Sequence, residues 1–197
     1  MKIILISGFL GSGKTTFIRH WGAFLVQERG LKVVVLENEV GEVGIDDQFL
    51  ARQGFRVKGI YGGCICCQLT GELVAAVNQI ATEMQPDYLI IEATGLARPE
   101  TVLKTLREYG NKEALRARVI VVTLVDASRW QELFEIMPEL ISAQIASAEL
   151  VLINKVDELE GNLAELETKI REVNTRARIA AVILREGVDP ALLKELN

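Results

Sequence analysis

The segment Gly8-Phe9-Leu10-Gly11-Ser12-Gly13-Lys14-Thr15 constrains this 197-residue chain more than any other feature. It stands between Ile3 to Ser7, an apolar run that reads as a buried strand, and Thr15 to Arg29, an amphipathic stretch that reads as a helix. Spaced glycines followed by Lys and Thr at such a junction form the pattern of a phosphate-binding loop. Backbone N–H groups can converge on phosphate oxygens only where no Cβ intervenes, and the helix N-terminus behind them adds a positive dipole. The simpler alternative is a Gly-rich turn that merely joins strand to helix; the full pattern in its required setting argues against it. In this reading Gly11, Ser12, Gly13, Lys14, Thr15 and Thr16 cradle a nucleotide's phosphates. Lys14 reaches the β and γ positions, and the Thr15 hydroxyl holds Mg²⁺.

The rest of the chain repeats the alternation. Lys32 to Leu36, Tyr88 to Ile91, Val119 to Val125 and Leu150 to Ile153 are apolar, β-rich runs. Phe55 to Tyr61 is a weaker one, interrupted by Lys58-Gly59, and Ile179 to Ile183 completes the series. Glu100 to Tyr109, Trp130 to Ala148 and Leu163 to Val173 have helical spacing, and Pro190 starts a short terminal helix. Strands alternating with helices imply crossover units, and runs apolar on both faces fit a sheet covered by helices. The expected fold class is α/β: a mainly parallel sheet flanked by helices in three layers.

Hydrophobic residues make up 49% of the chain, and no interior stretch rich in Pro, Gly or Ser divides it, so residues 1–197 are expected to form one domain. A formal net charge of -5 supplies no basic field for a phosphodiester backbone, which excludes nucleic acid as the default partner. The apolar amino terminus is broken by Gly8 to Thr16, far short of the roughly 20 residues that span a bilayer, so neither a membrane segment nor a signal peptide is expected. All three cysteines fall within Cys64 to Cys67 and cannot bridge distant segments, which points to a reducing, cytoplasmic setting.

Three further segments carry chemistry. After the strand Leu150 to Ile153 comes Asn154-Lys155-Val156-Asp157, with the spacing of a guanine-recognition loop. An Asp carboxylate can accept from guanine N1–H and the 2-amino group together, Asn can support N7 and O6, and the Lys stem can cover the ring. Downstream of a phosphate loop, this favours GTP over ATP. Leu36 to Asp46 leaves a strand with four carboxylates among glycines, as suits a segment ordered by nucleotide and Mg²⁺. Glu37, nearest the strand end, is assigned to Mg²⁺; Glu39, Glu42 and Asp46 either position water or a second metal or belong to a solvated acidic loop. Leu89 to Gly95 ends another strand in Glu92, placed to hold Mg²⁺ through water, with the Gly95 N–H available to a γ phosphate; the alternative is a capping Glu. Lys14, Thr15 and Glu92 are therefore the candidate catalytic residues. The single histidine, His20, follows on the first helix and receives no role.

Gly62-Gly63-Cys64-Ile65-Cys66-Cys67 puts Cys64 and Cys67 at the C-x-x-C spacing that brings two thiolates to one tetrahedral ion, with Cys66 as a third sulfur. Soft donors favour Zn²⁺, Cu⁺ or Fe–S chemistry over Mg²⁺, and three sulfurs leave a position for water, an acidic residue or a partner. Two alternatives stay open: buried cysteines acting as small hydrophobes, and a redox dithiol.

Taken together, Gly8 to Thr16, Glu37 to Asp46, Gly62 to Cys67, Ile91 to Pro99 and Asn154 to Asp157 resemble the CobW-type metallochaperone GTPases, which belong with UreG and HypB. The resemblance spans residues 1 to 157 in the right order, with the Cys-x-Cys-Cys loop as its most specific element. It implies a P-loop NTPase fold of the SIMIBI type, phosphate-loop roles on Gly11, Gly13, Lys14 and Thr15, base recognition on Asn154, Lys155 and Asp157, and transition-metal binding on Cys64, Cys66 and Cys67. It also implies hydrolysis of GTP to GDP and phosphate, slow without a partner, coupled to delivery of zinc or another transition metal such as cobalt or nickel. The implied partners are a client metalloprotein or cofactor-assembly protein and a nucleotide-dependent homodimer. Ala93 stands where a hydroxyl residue is expected and Arg98 where an acidic one is usual. The His-rich stretch of many relatives is absent, and within these 197 residues the family's second, carboxy-terminal domain is not expected. The rival readings are a nucleotide-gated redox or metal-sensing module and a P-loop small-molecule kinase.

Overall fold

The computed structural model describes residues 1–39, 56–61, 70–111 and 118–195; for residues 38, 39, 56–61, 70 and 195 only the backbone is considered. Seven strands form one parallel sheet: β1 (Lys2–Gly8), β2 (Val33–Glu39), β3 (Arg56–Tyr61), β4 (Tyr88–Glu92), β5 (Arg118–Asp126), β6 (Leu150–Asn154) and β7 (Arg178–Val182). The helices are α1 (Lys14–Ala23), α2 (Thr70–Gln79), α3 (Pro99–Tyr109), α4 (Trp130–Ile136), α5 (Pro138–Ala146), α6 (Leu163–Val173) and α7 (Pro190–Glu195). Among the described residues every strand pairing is parallel, because each connection returns the chain to the same end of the sheet.

Side chains alternate across a strand, and here both faces are apolar. On β1, Ile3 and Leu5 join Leu89, Ile91, Leu36 and Val121 under α2 and α3, while Ile4 and Ile6 face Phe17 and Trp21 of α1 on the opposite side. Val151 and Ile153 of β6 pack with Trp130, Ile141, Ile145, Leu166 and Ile170, so α4, α5 and α6 cover the same face as α2 and α3. Leu193 of α7 joins α1 on the other. The result is the expected three-layer sandwich. Where the sequence reads one helix from Trp130 to Ala148, the structure has two. Pro138 lacks an amide hydrogen and fixes its own φ, so it opens α5 at the N1 position, and Met137 breaks the helical backbone before it.

The strand order is β3-β2-β4-β1-β5-β6-β7. From β1 the chain moves to one side of the sheet for β2 to β4, then crosses β1 to lay down β5, β6 and β7 on the other. That reversal opens a crevice at the carboxyl ends of the strands beside β1, the place where open α/β sheets bind ligands.

Candidate functional site

The crevice is built first from backbone. Gly8, at the end of β1, has φ +132°, and a Cβ there would lie 2.3 Å from the Leu124 carbonyl oxygen of β5, so only glycine lets the loop leave the sheet at this point. Gly13 has φ +102° immediately before α1, with Asn154 Nδ2 2.5 Å from where its Cβ would be. Lys14 begins the helix and is 6% exposed. Its ammonium donates to the carbonyls of Gly8 (3.1 Å) and Phe9 (3.2 Å), so the side chain lies along the loop it follows. Burial pushes the Lys14 pKa below the ordinary lysine value, with the Glu92 carboxylate acting in the opposite direction.

Thr15, one residue on, donates its hydroxyl to Glu92 Oε1 at 3.1 Å across a sequence separation of 77. Glu92 ends β4 beside β1, in register with Ile6. On the far side of β4 lies β2, where Leu36 pairs with Ile91, so Glu37 stands one step further along, at the level of Glu92; it is 4% exposed. The Thr15 hydroxyl on α1, the Glu92 carboxylate at the end of β4 and the Glu37 carboxylate on neighbouring β2 give a set of hard oxygen donors of the kind Mg²⁺ takes. Gly95 lies against the phosphate loop: a Cβ on it would come within 2.6 Å of the Leu10 nitrogen.

Two strands away, Asn154 ends β6 and Lys155 and Asp157 follow it. The Asn154 amide bridges two loops, donating from Nδ2 to the Ser12 carbonyl (2.9 Å) and accepting at Oδ1 from the Leu184 N–H (3.0 Å). It therefore braces the phosphate loop against the turn after β7, a use of the side chain that the sequence reading did not include. Lys155 adopts a left-handed backbone at φ +62°, and its ammonium meets Asp126 Oδ2 at 2.5 Å. Asp126, 3% exposed at the end of β5, also accepts from the backbone and hydroxyl of Ser128 through Oδ1. With its charge anchored there, Lys155 leaves its methylene stem as the part open to a planar group. Asp157 Oδ2 meets the Arg185 guanidinium at 2.5 Å.

Several contributors were not singled out in the sequence: Asp126, Gln144, Leu184 and Arg185. Gln144 on α5 is 1% exposed and donates to the carbonyls of Gly95 (3.0 Å) and Ala97 (3.1 Å), fastening the segment after β4 to the helical layer. Arg98 adds a surface pair with Glu139 of the same helix. A buried amide that caps loop carbonyls leaves no local sequence signature. Cys64, Cys66 and Cys67, with Glu42 and Asp46, lie outside the described residues, as does the side chain of Glu39. Among the described residues no group of three or more His, Cys, Asp or Glu side chains is placed to hold a metal ion, and no helix is long and apolar enough to cross a membrane.

A parallel sheet with a glycine-built loop at the end of its central strand, a buried lysine behind that loop and a hydroxyl–carboxylate pair beside it has the fold of a P-loop NTPase. The profile of the CobW/HypB/UreG nucleotide-binding domain matches residues 2–181, and the chain belongs to that family. It is 34% identical over 205 aligned positions to the zinc chaperone YjiA of Escherichia coli, covering 100% of this chain and 62% of that protein. The crystal structure of Zn(II)-bound YjiA GTPase superposes with a TM-score of 0.71 at 27% identity, covering 98% of this chain and 60% of that one. The hydrogenase maturation factor HypB of Archaeoglobus fulgidus shares the fold, with a TM-score of 0.70 at 18% identity over 100% of this chain and 88% of that one. This chain spans between 45% and 62% of the length of six curated relatives that it resembles.

Proposed function

We propose that the protein binds and hydrolyses GTP and couples its nucleotide state to transition-metal binding at Cys64, Cys66 and Cys67, as a metallochaperone or metal-insertion accessory protein. The observation that carries the nucleotide half is the meeting of Thr15 with Glu92 beside the Gly8–Lys14 loop: a phosphate cradle and a hard-oxygen site side by side. In this reading the N–H groups of Gly11, Ser12, Gly13, Lys14, Thr15 and Thr16 bind phosphate oxygens. Lys14 exchanges its two carbonyl partners for the β and γ phosphates, and the Gly95 N–H meets the γ phosphate. Thr15, Glu37 and Glu92 are the residues that would hold Mg²⁺, and the ion would supply compensation for charge on the phosphate oxygens. Asp157 reads guanine N1–H and the 2-amino group, and Asn154 and the Lys155 stem support the ring.

The metal half rests on sequence and relatives. Three thiolates suit a soft ion, and the relatives' names speak of zinc chaperones and a Zn(II)-bound GTPase, which makes zinc the first cargo to test; cobalt and nickel are the alternatives. Topology supports coupling. The cysteines fall between Tyr61, the last residue of β3, and Thr70, the first of α2, and β3 pairs directly with β2, which carries Glu37. A coupling of roughly 1 to 3 kcal/mol changes metal affinity by about 5- to 150-fold, enough to make transfer directional. Client recognition, a nucleotide-dependent homodimer, slow turnover without a partner and a cytoplasmic location belong to the same proposal.

The test is zinc affinity of the purified protein with a non-hydrolysable GTP analogue and with GDP, beside the Cys64→Ser, Cys66→Ser, Cys67→Ser triple variant. The proposal expects different affinities in the two nucleotide states and loss of tight zinc binding in the variant. Equal affinities defeat the coupling, and undiminished zinc uptake by the variant defeats the cysteine site.

A further inference from the structure

We propose that the turn after β7, Leu184–Glu186, is a clamp that orients the base-reading carboxylate of Asp157, with Arg185 as the positioning residue and His20 as its anchor. The inference rests on the guanine reading above and adds to it residues outside the Asn154–Asp157 tetrapeptide.

The turn is tied down at Leu184 in three ways. Its carbonyl is 2.9 Å from His20 Nε2 on α1. A carbonyl can only accept, so Nε2 carries the hydrogen in this contact. Its N–H donates to Asn154 Oδ1 at 3.0 Å, and its side chain is 1% exposed, with Cδ1 against Gly13. The lone histidine is thus a tether between the helix that follows the phosphate loop and a turn 164 residues away. Gly187, at φ +116°, ends the turn in a conformation that few other residues adopt.

The residue after this fixed point is Arg185. One guanidinium nitrogen meets Asp157 Oδ2 at 2.5 Å and another meets Glu158 Oε1 at 3.1 Å, so a single fork spans both carboxylates of the short helical turn Val156–Glu158. Arg185 is 62% exposed, and as an exposed ion pair the contact contributes little to stability. Its geometric effect is larger. To accept from N1–H and the 2-amino group at once, both Asp157 oxygens must lie in the plane of the base, yet the terminal torsion of an Asp side chain is broad. A guanidinium held on Oδ2 fixes that torsion and leaves Oδ1 and the second lone pair of Oδ2 for the purine. His20 acts through Leu184 by setting where the guanidinium starts from.

Inosine lacks only the 2-amino group, so the ratio of GDP to IDP affinity reads carboxylate orientation directly. Titrations of the full chain with GDP, IDP and ADP are expected to show Arg185→Ala losing about threefold to tenfold in GDP affinity, with less loss for IDP and none for ADP. Arg185→Lys, which keeps charge without the fork, falls between. His20→Ala moves the ratio the same way by a smaller factor, and His20→Gln, which keeps a donor, restores it. A GDP to IDP ratio unchanged in Arg185→Ala, or tighter GDP binding by that variant, overturns the clamp. A wild-type protein that does not prefer GDP to ADP instead removes the guanine reading on which the clamp rests.

Discussion

The two halves of the nucleotide crevice are made differently. The phosphate half is a run of consecutive residues in which the backbone does the shaping: glycines at positive φ and a lysine folded back onto the two carbonyls that open the loop, those of Gly8 and Phe9. The base half is assembled from side chains on the ends of β5, β6 and β7 and on α1, joined by the Lys155–Asp126, Asp157–Arg185 and His20–Leu184 contacts. The comparison teaches a division of labour. A cradle for an invariant, multiply charged group is best made of rigid N–H dipoles, whereas choice among bases needs side chains whose donors and acceptors can be arranged one by one.

If that division holds, the largest effect belongs to the phosphate half. Lys14→Ala should lower GTP hydrolysis by about 10²- to 10³-fold, as loss of a charge-stabilising donor does, while the preference for GDP over ADP stays as in the wild type. Steady-state phosphate release and nucleotide titration check the two parts, and a changed base preference would show that the halves are not separable. Asp157→Asn is the converse experiment. It should cost GTP about 10- to 100-fold in affinity and favour xanthosine triphosphate, whose C2 oxygen accepts where guanine donates, with turnover at saturation little changed. Failure of xanthosine nucleotides to bind the variant would take Asp157 out of base reading.

A third experiment attacks the joint. Gly13 touches both halves, because a Cβ there meets the Asn154 amide that also holds Ser12 and Leu184. Gly13→Ala should lower folding stability by about 1 to 3 kcal/mol in denaturant titration, from overpacking added to a backbone conformation unfavourable for alanine. Asn154→Ala in the same chain should restore part of it; strictly additive losses would mean that the halves are not coupled through this contact.

The smallest effect is in pH. Burial lowers the Lys14 pKa in the free protein, so between that value and the ordinary lysine value the unfolded chain binds more protons than the native one, and stability contributed at this residue rises with pH. Phosphate restores the ammonium, so GDP binding should take up a fraction of a proton and weaken as pH rises through that window. Calorimetry in buffers of different ionisation enthalpy measures the uptake, and proton release would reverse the assignment of Lys14 to the phosphates.

Much of this was legible before any coordinate. Apolar runs that leave neither face of β1, β4 and β6 polar announced a covered parallel sheet, and Gly8 to Thr15 announced its loop and helix, because apolar patterning and the conformational preferences of Gly and Lys-Thr act within a few residues. The break at Pro138 was missed because the apolar pattern continues across it, although a proline in the N1 position marks it. Gln144, Arg185 and the role of His20 could not be read at all: an amide, a charge and an imidazole with no local pattern look the same whether they face solvent or fasten a loop.

By itself, then, the sequence determined the class of sheet and the phosphate cradle, since both are written in contiguous residues whose backbone energetics are local. Only the tertiary structure decided that Asn154 would brace Ser12, that Gln144 would hold the segment after β4, and that His20 would reach Leu184. Those contacts exist because the reversal of strand order at β1 brings together chain segments that the sequence keeps far apart, and no short-range preference carries that information.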